Sequence, residues 1–96
     1  MKVLSQSEIR HRLATLHGWR FTKAGLRRRY ELGSFKAVIK LVNRVVRAAE
    51  QANHHPDILI NYDKVAFTLI THDAGGITRK DFDLATRIEA ISRLKT

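Results

Sequence analysis

The sequence predicts an α+β domain in the order helix-strand-strand-helix-strand-strand-helix, with a four-stranded antiparallel sheet and three helices on one face. Three observations carry that prediction. Apolar residues recur at helical spacing in three separate stretches, the segments between them alternate with period two, and Gly, Pro, Asn and Asp punctuate the junctions. At 96 residues the chain makes a single domain, 1–96, with room for one modest core.

Ser5 and Glu8 have the spacing of a capping box, and Ile9, Leu13 and Leu16 follow at helical intervals until Gly18 stops the first helix. Trp19 and Phe21 alternate with Arg20 and Thr22 as a short strand, and Lys23-Ala24-Gly25 supplies a turn. Leu26, Arg28, Tyr30 and Leu32 then oppose Arg27, Arg29 and Glu31, giving a second strand and a first hairpin. Gly33-Ser34 breaks the strand, and Ser34 caps a long helix from Phe35 to Ala52. Its predicted buried face is Phe35, Val38, Ile39, Val42, Val45, Val46 and Ala49.

That helix should end near Asn53, which tolerates the left-handed conformation, and Pro56, the sole proline, prevents its continuation. Ile58, Ile60 and Tyr62 alternate with Asp57, Leu59 and Asn61. Asp63-Lys64 is the expected connection, and Val65, Phe67, Leu69 and Thr71 form the apolar side of a fourth strand that places His72 at its end on the opposite face. Asp73-Ala74-Gly75-Gly76 is a turn. Thr78 and Asp81 are spaced to cap a last helix whose buried stripe is Leu84, Ile88, Ile91 and Leu94. The sheet face left without helices invites self-association.

The charge is uneven. The chain carries +9 overall, but residues 1–47 hold twelve Lys/Arg against two acids, whereas residues 48–96 are close to balance. A basic half attracts anionic partners or simply keeps a solvated face. Lys36, Lys40, Arg44 and Arg47 make a basic stripe on the long helix, but no aromatic residues interleave it and no nucleic-acid motif accompanies it, so nucleic acid ranks low as a partner. The apolar runs are too short to span a bilayer, no basic-apolar leader opens the chain, and cysteine is absent; a cytoplasmic protein with no membrane association is the expectation.

Three of the five histidines lie between Glu50 and Asp81: His54 and His55 adjacent, and His72. Histidine titrates nearest neutrality, so this cluster is the candidate for proton transfer. Glu50 is four residues before His54 and can orient its ring across the last helical turn. Taken singly, each residue has a structural role as well: the paired histidines favour a helix C-terminus, Asp81 caps, and Trp19 and Tyr62 belong in a core. Zinc also suits three histidines and a carboxylate, but adjacent His54 and His55 side chains would diverge. His11 and His17 have no evident partners.

Glu50, His54-His55-Pro56, Tyr62, His72 and Asp81, at these spacings, closely resemble the signature of the pterin-4a-carbinolamine dehydratase family. Gly18-Trp19, Phe35, Ala37, Thr71-His72-Asp73 and Gly75-Gly76-Ile77-Thr78 agree with it, from about Leu13 to the last helix. The resemblance implies dehydration of 4a-hydroxytetrahydropterin, formed as aromatic amino-acid hydroxylases turn over, to quinonoid dihydropterin in tetrahydrobiopterin recycling. It implies no metal and no organic cofactor, and assembly as a homodimer or homotetramer. It carries the active site onto His54, His55, His72 and Asp81, with Trp19 nearby, and the pterin onto Asn53-His54-His55 and Ile70-Thr71-His72-Asp73.

The chemistry asks for such equipment. A carbinolamine expels hydroxide as the neighbouring nitrogen pushes electrons in, so the leaving oxygen needs a proton donor; a ring proton must also leave, so a base is needed. His54 and His72 are expected to share that work and His55 to orient the ring. The alternative is a non-catalytic dimerisation or binding module, a role that members of the family play for a transcription factor in animals. Here it would contact a regulatory protein or nucleic acid through the basic first half.

Overall fold

The computed structural model describes residues 1–94. Helix α1 spans Gln6–Leu13, β1 Arg20–Thr22, β2 Gly25–Glu31, α2 Phe35–Ala52, β3 Asp57–Asn61, β4 Lys64–Leu69 and α3 Arg79–Ser92, with a 3₁₀ turn at His72–Ala74. The order of elements is the predicted one. The strands run antiparallel in the spatial order β1-β2-β4-β3, so the second hairpin inserts β4 beside β2 and leaves β3 at an edge.

Local chemistry sets most boundaries. Ser5 and Glu8 form a reciprocal capping box at α1, and the Ser34 hydroxyl accepts from the Ala37 N–H at α2. Asn53 ends α2 in the left-handed conformation at φ 49°. Gly25 begins β2 at φ 137°, where a Cβ would stand 2.1 Å from the Leu69 carbonyl oxygen; only glycine lets β2 lie this close to the end of β4.

Four expectations need correction. Helix α1 stops at Leu13, and the chain reaches Leu16 through tight i→i+3 turns that still bury that leucine. On α2 the buried row is Val38, Leu41, Val45, Ala48 and Ala49, whereas Phe35 and Val46 are exposed. The helix carries two adjoining apolar rows, and only the row facing α3 and β4 is covered. The β3–β4 connection is Tyr62-Asp63, with Tyr62 at φ 53° and Lys64 already in the strand. Finally, Leu94 lies beyond the end of α3 and is exposed.

Register explains the core. Leu26 faces Leu69, Tyr30 faces Val65, and Ile58 and Ile60 face Phe67 and Val65, so these side chains share one side of the sheet. Together with Ile9 and Leu16, Val38 and Val45, and Leu84 and Ile88, all of them except the exposed Ile60 form one cluster drawn from all three helical regions. Phe67 is fully buried near its middle. On the reverse side stand Arg20, Arg27, Arg29, Leu59 and Lys64.

A buried carboxylate fastens α3 to the first hairpin. Glu89 Oε1 accepts from Trp19 Nε1 at 3.1 Å, Arg28 Nε at 3.0 Å and the Tyr30 hydroxyl at 2.5 Å. The Arg28 guanidinium also lies 4.2 Å from the centre of the Tyr30 ring. Burial pushes the Glu89 carboxyl upward, but the hydrogen bonds from Tyr30, Arg28 and Trp19 outweigh it, and its pKa is lowered. Burial and the bond to Glu89 push the Tyr30 hydroxyl upward. Because Glu89 titrates lower folded than unfolded, its contribution is present above the ordinary glutamate value near pH 4.5 and is lost as pH falls below it.

Replacing Glu89 with Gln should cost roughly 2 kcal/mol, because one amide cannot satisfy three donors, and lower Tm by about 5–15 °C. The acid limb of the stability curve below pH 4.5 should also flatten. Thermal unfolding of both proteins from pH 3 to 7 measures this, and an unchanged Tm would show that the donors find equal partners without the carboxylate.

Candidate active site

The end of α2, the end of β4 and the start of α3 meet at one cleft, and each is irregular there for a local reason. At α2 the left-handed Asn53 turns the chain, and the His54 N–H reaches back to the Ala49 carbonyl at 3.1 Å. That closure directs the His54 side chain inward toward α3. Beyond β4, Thr71 pairs with Gly76 across a short loop, and Gly75 at φ 76° closes the 3₁₀ turn that carries His72. His72 is therefore not on the strand, as the alternation of residues had indicated, but on an exposed turn beside it. The β2–β4 pairing ends at Leu69, which faces Leu26, one residue from the start of β2 at Gly25.

Asp81 is the centre of the arrangement. Its side chain is 0 % exposed, and its two oxygens accept three hydrogen bonds: His54 Nε2 to Oδ1 at 2.5 Å, and both the Thr71 hydroxyl and the Thr78 N–H to Oδ2 at 2.9 Å. Thr71 spends its proton on Asp81, so the Thr78 hydroxyl donates to Thr71 across 2.7 Å. The carboxylate thus completes the capping box of α3 and holds one nitrogen of His54. Three donors and no solvent suit an ionised acceptor, which fixes the proton of a neutral His54 on Nε2 and leaves Nδ1 as the free nitrogen. Among the described residues Nδ1 has no hydrogen-bond partner and no buried side-chain nitrogen or oxygen lacks one, so Nδ1 is open to the cleft.

The cleft has a volume of about 220 Å³ and is lined by Asn53, His54, His55, Ile70, Thr71, His72, Asp73 and Lys80. Seven of these were singled out from the sequence. Asp81 does not line it; it lies behind His54 and acts through that ring, as a positioning residue. Glu50 does not reach His54: its Oε2 pairs with His55 Nε2 at 2.5 Å, because the turn at Asn53 carries His54 away from the α2 surface and leaves His55 beside it. The two adjacent imidazoles are held by different carboxylates. Trp19 is not at the cleft either: it is 5 % exposed and bonded to Glu89.

Lys80 was not anticipated. It is the second residue of α3, next to the capping Asp81, and its N–H bonds the Thr78 hydroxyl at 3.3 Å. The signal was its place in the first turn of a helix whose capping carboxylate was already a site candidate. The basic stripe of α2 lies outside the cleft, with Lys36, Lys40 and Arg47 exposed and Arg44 half-buried. No helix among the described residues is long and apolar enough to cross a membrane.

The fold and the cleft define a small α+β protein with a carboxylate-backed histidine and a second, free histidine on one open polar site. The sequence family described as Pterin 4 alpha carbinolamine dehydratase matches residues 2–91. A protein of Roseiflexus sp. (strain RS-1), provisionally named pterin-4-alpha-carbinolamine dehydratase, is 50% identical over 88 residues, covering 92% of this chain and 95% of its own. One of Acidobacterium capsulatum with the same provisional name is 45% identical over 91 residues, 95% of this chain and 99% of its own. The crystal structure of a transcriptional coactivator/pterin dehydratase from Brucella melitensis superposes with a TM-score of 0.90 at 28% identity, over 95% of this chain and 99% of that one. A pterin dehydratase-like protein identified as a RuBisCO assembly factor of the alpha-carboxysome shares the fold at a TM-score of 0.68 and 22% identity, over 82% and 94% of the two chains. This chain belongs to the pterin-4-alpha-carbinolamine dehydratase family.

Asp81→Asn tests the positioning of His54. An amide has one acceptor oxygen and one donor nitrogen, so it cannot receive the His54 proton and both Oδ2 donors together. The expected result is a shift of His54 from the Nε2–H toward the Nδ1–H tautomer, read by ¹⁵N chemical shifts, together with a lower Tm. An unchanged tautomer would remove Asp81 from the positioning of His54.

Proposed function

We propose that the protein is a 4a-hydroxytetrahydropterin dehydratase, a hydro-lyase that forms quinonoid dihydropterin and water by histidine acid–base catalysis. The observation that carries this reading is the convergence of His54, anchored through Nε2 by Asp81, and the unbonded His72 on one cleft. Membership of the family supports the pterin as substrate.

The reaction needs one proton delivered and one removed. As the C4a–O bond breaks, an imidazolium protonates the departing hydroxide to give water, while the adjacent nitrogen forms the new C=N bond. A neutral imidazole takes the ring proton, so the product is neutral and the two histidines together end with the protons they began with. His54 and His72 share these steps. Asp81 holds His54 through Nε2 and leaves Nδ1 toward the cleft. His55, tethered to Glu50, and the Asn53, Thr71 and Asp73 side chains orient the ring, with the Lys80 ammonium at the rim. The protein's own groups supply both proton transfers, and we assign it no metal or organic cofactor.

The physiological setting of this reading is recycling of tetrahydrobiopterin after an aromatic amino-acid hydroxylase, in the cytoplasm. The chain acts there as a homodimer or homotetramer. The exposed apolar side chains on β3 and the turn after it support self-association: Leu59 is 63% and Tyr62 69% exposed on an edge strand and its turn.

The direct test is dehydration of freshly generated 4a-hydroxytetrahydropterin, followed by ultraviolet absorbance. The folded wild type should accelerate the reaction, and His54→Ala and His72→Ala should each lower kcat by about 10²-fold or more. No acceleration by folded wild type would overturn the dehydratase reading. Wild-type turnover in both single variants would overturn the assignment of these two histidines.

A further inference from the structure

The sheet face turned away from the helices carries a second built feature. Side chains alternate along β2, so Arg27 and Arg29 stand on one side and Arg28 on the other, where it bonds Glu89. On β1, Arg20 is directly opposite Arg27 in the register and shares its face. These three arginines and Gly18 line a cleft of about 290 Å³ with no carboxylate in its lining. Gly18 is at φ 87°, and a Cβ there would meet the Arg28 guanidinium at 2.7 Å.

Like charges directly across a ladder destabilise it. Some other cations are matched, Arg79 by Asp83 and Lys64 by Asp63. Among the described residues the Arg20 and Arg27 side chains have no hydrogen-bond or ion-pair partner, and Arg29 has only a weak influence on Asp63 and Lys64 from a distance. Cross-strand neighbours on one face are about 5 Å apart and next-nearest residues along a strand about 7 Å. Three guanidinium forks at that spacing match the oxygens of one phosphoryl or diphosphate group, which arginine binds in a bidentate fashion. The positive region is also small. Glu31 follows Arg29 on the same face, and Asp57 stands beyond Thr68 in the row of Arg20 and Arg27. No aromatic side chain lines the cleft to stack a base.

We propose that this corner of the sheet, formed by Arg20, Arg27 and Arg29, is a binding site for the phosphoryl or diphosphate group of a small phosphorylated molecule, separate from the histidine cleft. The feature is independent of dehydration, and so is its test.

Sodium pyrophosphate is titrated into the full-length protein by calorimetry, with thermal unfolding in parallel, beside inorganic phosphate and a twenty-nucleotide single-stranded DNA. Pyrophosphate should bind one per chain, more tightly than phosphate, and raise Tm. Arg27→Gln should weaken it by about tenfold or more, while Arg47→Gln, which removes the same charge from α2, changes it less than about twofold. Without ligand, Arg27→Gln should leave Tm equal or higher because the like-charge pair is relieved. Equal weakening by the two variants would reduce the effect to net charge and overturn the site, as would no pyrophosphate binding at millimolar concentration. DNA binding lost equally in both variants, with a salt slope reporting more than three phosphates, would replace the compact site with a diffuse nucleic-acid surface.

Discussion

The carboxylate of Asp81 is where the local and long-range structure of this protein meet. It caps α3 through the Thr78 N–H, takes the hydroxyl proton of Thr71 just past β4, and holds His54 just past α2. A buried charge is costly unless fully hydrogen-bonded, and three donors from three segments satisfy this one. The requirement acts in both directions. The segments must converge to satisfy the charge, and their convergence makes the cleft. Removing any one donor leaves part of a buried charge unmatched, so the helix cap, the loop after β4 and the orientation of His54 are coupled.

Glu89 plays the corresponding part at the other end of α3. Eight residues separate it from Asp81, about 12 Å along the helix axis. Asp81 ties the helix to the site, while Glu89 ties it to Trp19, Arg28 and Tyr30 of the first hairpin region. Helix α3 is thereby fixed at two points by charge-assisted hydrogen bonds, with Leu84, Ala85 and Ile88 packed into the core between them. Burial alone would let the helix slide or rotate within its groove, because apolar contact is non-directional. The two carboxylates give it a fixed register, and through that register the first turn of α3 is set against His54.

What could be read from the sequence was whatever depends on near neighbours. Both capping boxes, the cap at Ser34 and the left-handed Asn53 rest on residues within four positions of one another, and each formed as expected; the two hairpins also formed, the second with its turn one residue earlier. Seven of the cleft residues followed from a resemblance in spacing. Whatever depended on a choice between partners could not be read so directly. Glu50 and Asp81 were both plausible carboxylates for His54, and local spacing favoured Glu50; the turn at Asn53 gave Glu50 to His55 and left His54 for Asp81. Trp19 was drawn into the core by Glu89, seventy residues away. Leu41 and Val46 sit on adjoining rows of α2, and only the packing of α3 and β4 decides which is covered. Lys80 carries no motif and enters the cleft because its helix begins there.

The same reasoning bears on where the excess charge lies. None of the twelve basic residues in the first 47 positions lines the histidine cleft. The acid–base chemistry proposed for His54 and His72 needs one imidazole charged and one neutral, and a cluster of fixed cations beside them would oppose the charged form. Lys80 is the only Lys or Arg of the lining, while Asp81 behind His54 and Asp73 at the rim contribute negative charge. Arg20, Arg27 and Arg29 project from the opposite face of the sheet, Arg28 is turned to Glu89, and the stripe of α2 lies outside the cleft. A sheet one residue thick has two chemically independent faces because its side chains alternate. Here the helix-covered face carries the core that positions the histidines, and the open face carries Arg20, Arg27 and Arg29.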